Sequence, residues 1–77
     1  MQTRPEEVAH ITNTVRNKLR QNGAYAAVLR KVLELNANTP MTYRWIVAFA
    51  AGQDKEPRFS KVLEVADALG MSIRLRQ

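Results

Sequence analysis

The residues whose side chains are best suited to binding lie in one short stretch, the four residues from Thr42 to Trp45. Hydrogen-bond donors and aromatic rings at the start of a helix suit contact with nucleic acid, because a groove about 12 Å wide admits one helix and its first turns reach base edges. Arg44 carries a planar guanidinium that can donate two hydrogen bonds to guanine, a contact worth about 1–3 kcal/mol of discrimination. Thr42 and Tyr43 can bond phosphate or pack against a thymine methyl group.

Other kinds of chemistry lack the residues that they need. The chain has no cysteine and one histidine, His10, so no second histidine or cysteine can join it in a metal site. The adjacent Glu6 and Glu7 are explained as partners of a helix dipole in a first turn. Nothing indicates a nucleophile and base that converge in a pocket. The sequence therefore predicts no enzyme activity, no metal and no cofactor.

The overall charge favours a polyanionic partner. The 77 residues include 12 Lys+Arg and 7 Asp+Glu, for a formal net charge of +5, which is typical of proteins that bind nucleic acid or an anionic membrane surface. The longest apolar run, from Ile46 to Ala51, is far shorter than the roughly 20 residues that cross a bilayer. The opening residues lack a secretory signal. We expect one small domain over residues 1–77, soluble and cytoplasmic, with no membrane partner.

Apolar residues at helical spacing predict two helices in the first half of the chain. The first, about residues 4–21, begins with a capping box of Thr3 and Glu6 and ends at Gly23. The second covers about residues 24–35 and ends where asparagines and a proline interrupt it. Basic residues late in the first helix suit the negative end of its dipole, or else form a phosphate-binding edge: Arg16, Lys18 and Arg20. The predicted inward residues are Val8, Ile11, Val15 and Leu19 in the first helix, and Tyr25, Val28, Leu29, Val32 and Leu35 in the second.

The second half predicts two more helices and a strand. The third helix covers about residues 41–51 and ends at Gly52, and the fourth covers about residues 57–69. Residues 71–76 alternate between apolar and polar types, the two-residue period of a strand. A lone strand is unstable, so we expect it to pair with the same strand of a second molecule. The predicted dimer contacts are Met71, Ile73 and Leu75. The predicted inward residues are Met41, Ile46 and Phe49, then Phe59, Val62, Leu63, Ala66 and Leu69.

The stretch from Pro40 to Gly52, followed by Lys55-Glu56-Pro57-Arg58 and an apolar helix that ends at Gly70, resembles the lambda-repressor-like and Cro-like helix-turn-helix proteins of phages and their bacterial relatives. The likeness covers roughly residues 24–70. It implies an all-α, four-helix domain in which helix 41–51 lies in the major groove. The contacts with bases implied or expected are those of Thr42, Tyr43, Arg44, Trp45 and Ala48. The expected contacts with phosphate are those of Tyr25, Asn38, Lys55 and Arg58.

Trp45 also allows a simpler interpretation. A lone tryptophan beside core residues is commonly a half-buried packing residue, with no part in binding. Arg44, in the same way, could be an ordinary solvent-facing helix residue. The sequence leaves both alternatives open.

These features predict a sequence-specific regulator of transcription that binds double-stranded DNA. We expect a repressor-like homodimer on a two-fold operator, with reading helices about 34 Å apart, in the bacterial cytoplasm or nucleoid. An alternative is an antitoxin-like protein-interaction module, because the segment from Pro57 to Met71 and the basic strand after it are similar to the ends of small antitoxins. Ile73 and Leu75 would then contact a toxin protein. A third possibility is a basic domain that coats nucleic acid or anionic lipid without sequence preference.

Overall fold

The computed structural model describes residues 5–54 and 56–71. Within these ranges the chain forms four helices: α1 (Pro5–Asn22), α2 (Tyr25–Leu35), α3 (Tyr43–Ala51) and α4 (Phe59–Ala68). The predicted all-α class is confirmed, and the described residues contain no strand. The predicted cap Thr3 and residues 72–76 of the predicted strand lie outside the described residues. None of the four helices is long and apolar enough to cross a membrane.

Six of the eight helix ends differ from the predicted ends by one or two residues, and the backbone explains the later starts of α3 and α4. α3 begins at Tyr43 because Thr42 is extended (φ −126°, ψ 159°) and acts as the N-cap. α4 begins at Phe59 because Arg58 is extended too (φ −61°, ψ 124°). At the end of α3, Gly52 takes the left-handed conformation (φ 75°), which only glycine adopts without strain.

The core lies where α3 and α4 each pack against both α1 and α2. Its largest fully buried side chains include Phe49, Leu19 and Ile46. Most of the predicted inward residues face this core or pack at its edge. The prediction for Leu35 is wrong: it is 56% exposed, because α2 ends there and the chain turns away at Asn36. The core also includes Ala50 and Val65, which the periodicity did not single out, and Thr12 is a buried polar residue that was not predicted either.

Candidate nucleic-acid interface

The rotation of α3 about its axis is fixed by the residues that it buries. Ile46 and Phe49 are fully buried, while Tyr43 is 50% exposed and Val47 is 37% exposed. Arg44 is exposed as well. Because an amphipathic helix is held by its apolar side, the exposed side chains occupy a defined face. Tyr43 and Arg44 therefore face outward, as their predicted role requires.

The exposed part of α3 borders a shallow depression of about 360 Å³. Its lining residues are Tyr43, Arg44, Val47, Ala48 and Gln53. Tyr43, Arg44 and Gln53 carry hydrogen-bonding groups, and Val47 and Ala48 are apolar. The depression therefore offers an apolar surface beside polar groups that can form hydrogen bonds with the edge of a ligand.

Gln53 is the member of this depression that the sequence did not single out. The left-handed Gly52 turns the chain back at the end of α3, and the N–H of Gln53 donates to the carbonyl oxygen of Ala48 at 3.0 Å. This bond keeps Gln53 beside the last turn of the helix. The signal that could have found it is the glycine itself, since the residue after a left-handed C-terminal glycine commonly bonds back to the helix.

Thr42 holds the first turn of α3. Its hydroxyl oxygen accepts a hydrogen bond from the backbone N–H of Trp45 at 3.1 Å. This N-cap satisfies one of the amides that a helix start leaves without a partner. The residue predicted to contact bases thus has a structural task, and its hydroxyl hydrogen stays available as a donor.

Replacing this cap should weaken the fold by a modest amount. We expect Thr42→Ala to lower the free energy of unfolding by about 1 kcal/mol, because the amide of Trp45 loses its acceptor. Thr42→Ser keeps the acceptor and is the matched control. Urea denaturation followed by circular dichroism measures both variants. A Thr42→Ala protein as stable as Thr42→Ser would contradict the capping role.

Trp45 packs against its own molecule. Its ring is stacked on Phe49, with ring centroids 5.1 Å apart and an interplanar angle of 15°. The ammonium group of Lys61 lies 5.3 Å from the centroid of the tryptophan ring, a cation–π distance. The half-buried ring thus bridges α3 and α4, which favours the packing interpretation. Contact between Trp45 and a base stays a prediction.

Two arginines of α1 bind the C-terminal end of α3. The Nε atom of Arg16 donates to the carbonyl oxygen of Phe49 at 2.8 Å, and the Nε atom of Arg20 donates to the carbonyl oxygen of Ala50. The guanidinium of Arg16 also lies 4.8 Å from the ring centroid of Phe49. Both side chains thus cap the carbonyl end of α3. Arg20 also lies in the last turn of α1, where a basic residue is expected to suit the dipole of its own helix. A phosphate contact by these basic residues stays a prediction.

The connection between α2 and α3 is held by a carboxylate of α4. The side-chain amide of Asn36 donates to Oε1 of Glu64 at 3.3 Å, and the hydroxyl of Thr39 donates to Oε2 at 2.5 Å. Thr39 Oγ1 also accepts from the N–H of Met41 at 3.3 Å, just before α3. Glu64 thus fixes both ends of the turn that leads into α3, and no local sequence pattern indicated it.

The predicted phosphate contacts are spread over several elements. Tyr25 is partly buried and packs against the core at the start of α2. Asn38 is exposed, and its N–H donates to Oδ1 of Asn36 at 3.2 Å. Arg58 is exposed just before α4, and Lys55 lies outside the described residues. Their contact with phosphate stays a prediction.

The predicted dimer contacts fall mostly beyond the described part of the chain. Met71 is described: it packs partly buried against the core of its own molecule, and its N–H donates to the carbonyl oxygen of Ala66 at 2.9 Å. Ile73 and Leu75 lie outside the described residues. Pairing between molecules through this segment stays a prediction.

Comparison with protein-family models, with curated proteins and with solved structures finds no match for this chain. Among residues 5–54 and 56–71, no group of three or more His, Asp or Glu side chains could hold a metal ion.

Proposed function

We propose that this protein is a sequence-specific DNA-binding regulator of transcription, in which α2 and α3 form a helix-turn-helix motif and α3 lies in the major groove. The observation that carries this proposal is the exposure of Tyr43, Arg44 and Val47 on a helix whose other side is locked in the core. A helix with its side chains is about 10–12 Å across, which matches a groove about 12 Å wide. The formal charge of +5 favours the same partner.

Arg44 is the proposed reader of a guanine. Within the described residues its guanidinium forms neither a salt bridge nor a side-chain hydrogen bond, so none of these residues competes with a ligand for its donors. Its fork geometry fits the O6 and N7 acceptors of guanine. Tyr43 and Thr42 lie beside it at the start of the helix and are proposed to bond the neighbouring phosphate or base.

The proposed assembly is a homodimer on a two-fold operator, with half-sites about 34 Å apart. Binding of two copies would block access of polymerase to the promoter. Phosphate contacts are assigned to Tyr25, Asn38, Lys55 and Arg58. They fix the orientation of the protein on the duplex and carry no sequence information.

The test is selection of bound duplexes from a random library, followed by binding titrations at fixed ionic strength. We expect an enriched sequence with two-fold symmetry. Arg44→Ala should weaken binding to it by about 5- to 150-fold, the equivalent of about 1–3 kcal/mol, and should relax preference at one base position. Arg30→Ala, a change to an exposed arginine of α2, is the charge-matched control and should leave that preference intact.

Two results would overturn the proposal. One is a library in which no sequence is enriched. The other is an Arg44→Ala protein that loses affinity equally for every duplex, since this is the behaviour of a nonspecific phosphate contact.

A further inference from the structure

Val47 is an apolar side chain at the surface of α3 that packing does not account for. It is 37% exposed and lies one turn from Tyr43 and three residues after Arg44. A single exposed valine needs no explanation by itself. Val47, however, lines the same depression as Ala48, and three hydrogen-bonding side chains line it with them: Tyr43, Arg44 and Gln53.

Such a depression fits a ligand with a small apolar group beside hydrogen-bond acceptors. In the major groove, thymine presents a C5-methyl group next to its O4 acceptor, and guanine presents O6 and N7. The positive guanidinium of Arg44 suits the acceptors, and Val47 with Ala48 suits the methyl group. Cytosine presents a donor and no methyl group in the same place, so it fits less well.

We propose that Val47 is a specificity-determining residue that contacts the 5-methyl group of a thymine next to the guanine read by Arg44; this inference rests on the proposed function. Residues three apart on a helix have Cβ atoms about 5–6 Å apart, while successive base pairs are about 3.4 Å apart. Two such side chains therefore reach neighbouring base pairs. Gln53, at the same depression, can donate its amide to the O4 of that thymine.

The test replaces each thymine of the enriched duplex by deoxyuridine, which removes only the methyl group. We expect one position per half-site at which this change weakens binding by about 4-fold, the loss expected from one methyl group leaving an apolar contact. In Val47→Ala the thymine duplex should bind more weakly, and the difference between thymine and deoxyuridine should shrink to less than 2-fold. Since Val47 is at the surface, this variant should stay folded.

Leu33→Ala is the matched control. Leu33 is 40% exposed on α2, so the change removes a similar apolar side chain away from α3 and should keep the full preference for thymine. An enriched duplex that is insensitive to every deoxyuridine substitution, or that contains no thymine beside its guanine, would overturn this inference and leave the proposed function standing. A preference for thymine that persists unchanged in Val47→Ala would overturn it as well. Failure to enrich any sequence would instead remove the proposed function itself.

Discussion

Phe49→Ala should lower the free energy of unfolding by about 3–5 kcal/mol, the usual cost of emptying a large aromatic site in a core. Phe49 is fully buried, and its ring is stacked on Trp45. The guanidinium of Arg16 lies against the same ring. The substitution therefore leaves a cavity and also removes the surface on which two neighbours pack. Small domains are stable by only about 5–15 kcal/mol, so much of the variant should be unfolded under mild denaturing conditions.

Urea denaturation followed by circular dichroism measures this loss, and fluorescence of Trp45 reports on the same site. Phe49→Leu keeps most of the apolar volume and should cost clearly less. Phe59→Ala removes a partly buried ring at the edge of the core and is the second comparison. If Phe49→Ala lowers the free energy of unfolding by less than Phe59→Ala does, the packing around the Phe49 ring does not stabilise the fold as expected.

The positions of the helices could be predicted from the sequence because the signals are local. Apolar spacing located the buried side of α3 at Ile46 and Phe49, and Gly52 marked its end. The same spacing left Arg44 outside the buried set, where the structure exposes it. Helical period and terminating glycines depend on neighbours within about one turn, so they can be recognised in a single sequence.

The contacts that orient these helices could not be predicted in this way. Arg16 bonds a carbonyl 33 residues further along the chain, and Glu64 bonds a side chain 28 residues earlier. Such pairs form only after packing brings two helices together, and nothing in the local sequence marks the partner. The prediction of burial fails at the end of α2 for a related reason. Leu35 continues the apolar stripe of this helix, yet it lies beyond the core and is exposed.

Glu64→Ala should show how strongly the entry into α3 depends on α4. The substitution removes the acceptor for the hydroxyl of Thr39 and for the amide of Asn36. Hydrogen bonds to a charged group contribute about 1.5–3 kcal/mol each, and the bond of Asn36 is long and exposed, so it adds less. We expect a loss of about 2–3 kcal/mol in the free energy of unfolding, and faster amide exchange at Met41, whose N–H bonds Thr39.

Asp67→Ala provides the charge-matched control. Asp67 is an exposed acid on the same helix, and exposed substitutions away from special contacts usually change stability by less than about 0.5 kcal/mol. Glu64→Gln keeps one acceptor oxygen and should fall between the two. In a double-mutant cycle with Thr39→Val, the two changes should be less than additive, because either one already breaks the same bond. Equal losses for Glu64→Ala and Asp67→Ala would mean that general charge, and not the bonds to the α2–α3 connection, accounts for the effect of Glu64.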